Sequence, residues 1–170
     1  ARIVFTATHT HASLENTRLF GGAAEDPPVA ALREAAIRTM AAAAADLAPA
    51  RLAAGTAAAP LNFNRRVVRD GKMTLARRYE AGVTEGPHDP ALTLLRFDRT
   101  DGRSLWWTHW AAHPLTLGPA NRHFSADYPG ALRGIIEQAR SDTRLLFTNG
   151  AAGNLHPIDC MREDDTALRQ

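Results

Sequence analysis

The sequence predicts a layered α/β domain with a mixed β-sheet flanked by helices. Strand-like apolar runs alternate with two stretches of helical periodicity along the 170 residues. An Asp-Gly pair, Asp101-Gly102, separates two neighbouring apolar runs, as in an antiparallel hairpin. The predicted order is strand, helix, strand, hairpin, helix, strand. This order is typical of layered α/β folds in which parallel and antiparallel strands share a sheet.

The first three predicted elements are a strand, a helix and a strand. Residues Ala1 to Thr8 carry β-branched and aromatic side chains, which indicate a buried strand. Asp26 precedes two prolines, as at a capped helix start, and apolar residues at helical spacing predict an amphipathic helix from Pro27 to about Leu47. Arg51 to Ala59 is predicted to be a strand of small residues.

The remaining elements include the hairpin. Asn62 to Arg78 is predicted to be irregular, with one Asp-Gly turn. The hairpin strands are Ala91 to Asp98 and Arg103 to Ala112. A second helix is predicted at Tyr128 to Arg140, and a short buried strand at Arg144 to Thr148.

Composition and charge exclude several classes of protein. Hydrophobic residues make up 45% and charged residues 22% of the chain, as in a folded globular protein. The net charge is only +2 and the basic residues are scattered, so no nucleic-acid partner is expected. No apolar run reaches the roughly 18 residues of a membrane-spanning helix, so no transmembrane segment is expected. Residues 1–170 are interpreted as a single domain that is incomplete as a fragment.

A pair of histidines follows the first predicted strand, in Thr8-His9-Thr10-His11. Strand side chains alternate between faces, so His9 and His11 would project to the same side if the extended backbone continues. Neutral imidazole nitrogen is a good zinc ligand. The pair is interpreted either as part of a metal site or as two polar loop histidines.

A second pair of histidines lies at the end of the hairpin, in the segment His109 to Pro114. His109 and His113 are four residues apart and would share a face of a strand. Open α/β sheets bind ligands at strand ends, so histidines from two strand ends could converge there. The alternative is that His113 caps the hairpin with a hydrogen bond to the backbone.

Three other segments carry candidate polar chemistry. Ser125 to Gly130 contains Asp127, which either caps the second helix or orients a metal-ligating histidine. The glycine-rich segment Asn149 to His156 either presents amides to an anion or is an ordinary turn; without Gly-Lys-Ser/Thr it is no nucleotide P-loop. Arg65 offers a fork of donors for a carboxylate or oxyanion, or is a solvated surface residue.

The order of these segments is more specific than any one of them. Thr-His-Thr-His, Asn-Arg-Arg, His-Pro, Ser-Ala-Asp-Tyr-Pro-Gly and Asn-Gly-Ala-Ala-Gly-Asn occur in that order between Thr6 and Pro157. The series resembles the N-terminal catalytic domain of the neutral/alkaline, non-lysosomal ceramidase family, especially its bacterial members. That family consists of zinc-dependent amidases that hydrolyse the N-acyl bond of ceramide.

The resemblance implies a role for four residues. His9 and His113 would be zinc ligands, His11 would contact the substrate or the attacking water, and Arg65 would be a further residue needed for activity. The family completes its zinc site with a Glu and a Tyr, which no segment of this chain matches. Residues 1–170 alone are therefore expected to be inactive.

The resemblance also implies a substrate class and a compartment. The substrate would be a lipid-like N-acyl amide, with N-acyl-sphingosine cleaved to sphingosine and a fatty acid as the specific case, and relatives act from the secreted or periplasmic side. The sequence departs from the family pattern at Ala12 to Glu15, where relatives carry a glycine-rich run that shapes the acyl pocket, and at Asn154, where relatives commonly carry Asp.

Two alternatives remain open. One is a catalytically silent ligand-binding domain that retains the ceramidase scaffold. The other is a metal-dependent amidohydrolase barrel, which also places His-x-His after its first strand. The predicted hairpin argues against the barrel, because repeated parallel βα units have no place for an antiparallel pair.

Overall fold

The computed structural model describes residues 4–14 and 27–161. Its central feature is a four-stranded mixed sheet, which is accompanied by two small two-stranded ladders. The elements are α1 (Pro27–Ala45), β1 (Ala50–Ala58), β2 (Asn62–Asn64), β3 (Arg66–Arg69), β4 (Lys72–Leu75), β5 (Ala91–Arg99), β6 (Ser104–Trp110), α2 (Asp127–Ala139), β7 (Thr143–Asn149) and β8 (Leu155–Pro157).

The strand order of the main sheet is β1-β5-β6-β7. β1 pairs antiparallel with β5, and β5 pairs antiparallel with β6 through the Asp101-Gly102 turn, where Gly102 has a φ of 86°. β7 pairs parallel with β6, because α2 carries the chain back across the sheet. The predicted mixed α/β sheet is confirmed, and the antiparallel β5–β6 pair excludes a barrel of parallel units.

The core of the main sheet lies between β6, β7 and α2. Trp110, Leu145 and Phe147 are buried at this interface. Leu132 and Ile136 of α2 pack against them, as expected for residues four apart on one helix face. This packing holds the end of β6, and the chain that follows it, against α2.

A second, smaller core lies under the short ladders that the sequence analysis left irregular. β2 pairs antiparallel with β8, and β3 pairs antiparallel with β4 through the predicted Asp-Gly turn. Phe63 and Val67 are buried there with Cys160. The β2–β8 pairing matters for the site, because it places the Asn-Arg-Arg segment beside the chain that leaves the glycine-rich turn.

Two sequence predictions differ from the structure. Residues 4–8 form no strand, and Val4 and Phe5 are 81% and 73% exposed. Residues 1–3 and Asp26, the predicted helix cap, lie outside the described residues. β-branched composition favours a strand only where a neighbouring strand completes the ladder. Helix α1 forms as predicted, but Leu32 is 51% exposed, so its apolar face is not buried against described residues.

No described helix has the length and apolarity that crossing a membrane would require.

Candidate metal centre

Three histidines from two distant parts of the chain lie together. The ring centroids are 5.0 Å apart for His9 and His11, 5.0 Å for His9 and His113, and 5.5 Å for His11 and His113. One nitrogen from each ring lies within 4.8 Å of the other two. Two nitrogens bound to one tetrahedral zinc are about 3.4 Å apart, since each Zn–N bond is about 2.0–2.1 Å long. Modest side-chain shifts would therefore let the three rings share a cation.

The segment that carries His9 and His11 is anchored by backbone hydrogen bonds and by the hydroxyl of Thr10. Its hydrogen bonds, each 2.8–3.3 Å long, join Thr8 to Asn149, Thr10 and Ala12 to Ser125, and His11 to Pro114. His9 has a φ of 66°, in the left-handed region. The two rings therefore approach each other through a bend at His9 and not through the alternation of an extended strand, which was the expected reason.

His113 is held in a defined tautomer. It is 5% exposed, and its Nδ1 donates to the carbonyl of Leu155 at 2.9 Å, while its backbone amide donates to the same oxygen at 3.0 Å. A carbonyl only accepts, so Nδ1 carries the proton and Nε2 keeps its lone pair. This arrangement is the one that orients metal-ligating histidines in proteins.

The surroundings favour neutral rings at His11 and His113. Burial lowers the pKa of His11, and the electrostatic influence of His9 and Arg65 lowers it further, while Asp127 acts in the opposite direction. Burial also lowers the pKa of His113, opposed by its bond to Leu155. Since only the neutral ring binds a metal, both effects favour the ligating form near pH 7.

Arg65 lies beside the cluster and is fixed by three contacts. Its Nη1 donates to Nε2 of His156 at 2.9 Å, its Nη2 donates to the carbonyl of Gly153 at 2.9 Å, and its backbone amide donates to Asn154 at 2.8 Å. The glycine-rich turn therefore presents carbonyls to an arginine, in place of the predicted amides to an anion.

His156 is a site residue to which the sequence analysis assigned no role. It is 1% exposed, its ring centroid is 5.1 Å from that of His113, and its Nδ1 lies 4.0 Å from the sulfur of Cys160. Burial, followed by the charge of Arg65, lowers the pKa of His156 to about 4, so the ring is neutral and accepts from Arg65. The β2–β8 pairing places His156 next to Arg65, and this pairing could not be read from the sequence.

Two pockets open onto the histidine cluster. A pocket of about 670 Å³ is lined by His11 and Arg65, and a smaller one of about 260 Å³ is lined by His9 and His113. His11 therefore faces a different space from the other two histidines. A volume of several hundred Å³ is in the usual range for small-molecule sites.

Two predicted candidates lie outside the cluster. His109 is exposed, and its Nδ1 is 3.1 Å from the hydroxyl of Thr148. Because β6 ends at Trp110, His113 lies outside the strand and the two histidines do not share the strand face that was expected. The buried carboxylate of Asp127 accepts amide hydrogen bonds from the loop after His113 and from the start of α2, at Thr116, Leu117 and Tyr128. Asp127 therefore orders a loop and a helix start, and orients no histidine ring.

Comparison with solved structures identifies proteins with a similar α/β fold. No family model and no curated protein sequence matches the chain. Among solved structures, neutral ceramidase from Pseudomonas aeruginosa matches 76% of this chain with a TM-score of 0.59 and 22% identity. A structure described as ceramidase complexed with C2 matches 89% of this chain with a TM-score of 0.68 and 22% identity.

The chain spans only 20% and 25% of the lengths of these two proteins. At 22% identity the likeness concerns the fold and carries no residue roles by itself. The order of motifs, the mixed sheet and the structural matches agree with one another. The chain therefore forms an α/β domain with a fold similar to that of part of these ceramidase structures.

Proposed function

We propose that this domain is part of a zinc-dependent hydrolase that cleaves a linear N-acyl amide. The single observation that carries the proposal is the convergence of His9, His11 and His113 beside Arg65 at the mouth of a pocket. His9 and His113 are the proposed zinc ligands. A Glu and a Tyr from outside residues 1–170 would complete the set, as the family resemblance implies.

A zinc ion at this site would supply a Lewis acid that polarises the amide carbonyl and activates a water molecule. His11 lines the substrate pocket and has a lowered pKa, so its neutral ring can accept a hydrogen bond from the attacking water. Arg65 lines the same pocket and can donate to the oxygen that becomes negative as the carbonyl is attacked. His156 and Gly153 hold the guanidinium in place, which limits the reorganisation needed during the reaction.

The pocket also favours an acyl substrate. Its lining includes the apolar side chains of Leu115, Leu117 and Phe124, next to His11. Burial of apolar surface is worth about 25 cal/mol per Å², which is enough for an acyl chain to contribute substantially to binding. N-acyl-sphingosine is the specific substrate that the family resemblance suggests.

Metal content and turnover test the proposal together. The intact protein should carry stoichiometric zinc and release fatty acid from short-chain fluorescent N-acyl amides, and a chelator should abolish the turnover. His9→Ala and His113→Ala should lose zinc, whereas His11→Ala should keep zinc and lose turnover. His88→Ala is the matched control, because His88 is exposed and its Nδ1 lies 3.3 Å from the Gly86 carbonyl, outside the histidine cluster. Unchanged zinc in both ligand variants would remove the proposal.

A catalytically silent binding domain is the second candidate. The observation in its favour is that the cluster holds three histidines and no acidic ligand among residues 4–14 and 27–161. Such a domain would bind zinc weakly and hydrolyse nothing. Turnover by the intact protein that disappears with a chelator excludes it.

A further inference from the structure

The pocket beside the histidine cluster has an unusual charge. Three arginines line it, Arg65, Arg77 and Arg122, and no Asp or Glu belongs to its described lining. The arginines of the β5–β6 hairpin differ, because Arg99 and Arg103 are both paired with Asp101. Among the residues that the structure describes, the lining of this pocket is therefore a concave cationic surface.

The backbone at Arg77 and Arg122 is ordered by local hydrogen bonds. The thiol of Cys160 donates to the carbonyl of Arg77 at 3.0 Å; burial raises the pKa of this thiol to about 11, so it stays protonated. On either side of Arg122, the side chain of Asn121 bonds both the carbonyl and the amide of His123. Both arginines thus extend from fixed backbone, from chain segments on either side of the main hairpin.

The same pocket has apolar walls. Leu115, Leu117, Pro119, Phe124 and Met161 share its lining with the arginines. Phe124 is 77% exposed, so its ring offers apolar surface to a ligand in the pocket. The combination fits a ligand that joins an apolar chain to a negatively charged group, since a guanidinium fork pairs with carboxylate or phosphate oxygens.

We propose that the amide hydrolysed at this site carries an anionic group, a carboxylate or a phosphate, which Arg77 and Arg122 bind. The inference rests on the proposed function for the identity of the reacting bond, but its recognition step stands on the pocket alone. It distinguishes the substrate of this protein from an uncharged N-acyl-sphingosine, which would leave both guanidinium groups unused.

The test measures binding by calorimetry with the intact zinc-loaded protein and three soluble probes. The probes are N-octanoylglycine, N-octanoyl-O-phosphoethanolamine and the neutral N-octanoylglycinamide. At least one anionic probe should bind about tenfold more tightly than the neutral one, and this preference should weaken as salt rises. Comparison of the two anionic probes shows whether carboxylate or phosphate is preferred. Arg77→Gln with Arg122→Gln should remove the preference.

Arg33→Gln with Arg38→Gln is the matched control, since both arginines are exposed on α1 and the double substitution removes the same two charges. Equal binding of charged and neutral probes would overturn the inference. So would a preference that survives in the double variant, because the anion would then be bound by the metal or by Arg65. Probes that bind as expected but are not cleaved would refute the proposed function and leave this inference standing. Cleavage of the probes without a charge preference in binding would support the proposed function and refute this inference.

Discussion

Replacing His156 by Gln should make the folded protein less sensitive to acid. The pKa of His156 is lowered from 6.5 to about 4 by burial and by Arg65, so the folded state binds its proton less readily than the unfolded state. The free energy of unfolding should therefore fall as pH falls from about 6.5 to about 4. A lowering of about 2.5 pKa units corresponds to about 3 kcal/mol in total, of which about 2 kcal/mol is lost between pH 7 and pH 5.

Glutamine is the informative substitution because its side-chain oxygen can still accept the Arg65 hydrogen bond while carrying no titrating group. Urea unfolding at pH 7 and pH 5, with a chelator present to remove metal linkage, gives the two free energies for each protein. The loss between the two pH values should be about 2 kcal/mol smaller in His156→Gln than in the original protein. His11 and His113 are present in both proteins, so the difference between the two proteins reports on His156 and on its electrostatic interaction with these two rings. An equal loss in the two proteins would show that His156 is protonated as readily when folded as when unfolded.

Three further predictions follow from the packing and the site. Phe147→Ala should lower the free energy of unfolding by about 3–5 kcal/mol, because removal of the ring, which is only 7% exposed, leaves a cavity between β7 and α2. A loss below about 1 kcal/mol in urea unfolding would contradict the packing described. Gly102→Ala should lower the free energy of unfolding by about 1 kcal/mol, since the φ of Gly102 is 86° in the hairpin turn. An unchanged urea midpoint would show that the turn relaxes to accept alanine. Arg65→Lys should reduce kcat/KM for a cleaved amide by about tenfold or more and leave the zinc content unchanged. The reason is that a single ammonium cannot reproduce the guanidinium fork that reaches both His156 and Gly153. Retained activity would show that Arg65 takes no part in the reaction.

Elements whose signals are local could be predicted from the sequence. The Asp-Gly pair at Gly102 specified the β5–β6 hairpin, because the positive φ of a glycine in a short loop, here residues 100–102, is a property of a few neighbouring residues. Helix α2 was predicted within about a residue of its observed bounds, Asp127–Ala139, since its apolar spacing and its proline lie within the helix itself. The strand expected before Thr8 failed for the complementary reason, because a strand also requires a partner that local composition does not reveal.

The candidate site was predictable only in part. The motif order singled out His9, His11, His113 and Arg65 as candidates, and the structure brings these four side chains to one region. At His9 the structure achieves this through a left-handed backbone conformation, which the amino-acid sequence does not indicate for a histidine. It also added His156, whose contact with Arg65 spans 91 positions in the chain.

The sequence by itself determined the helices, the long strands of the main sheet and the residue types able to bind a metal, because helical spacing, turn residues and imidazole chemistry are properties of short segments. Only the tertiary structure decided which of those residues meet. The pairing of β2 with β8 and the hydrogen bonds from the His9 segment to Ser125 and Pro114 join residues that are far apart in the chain. Such contacts depend on the cooperative packing of the whole domain, and no short window of sequence encodes them.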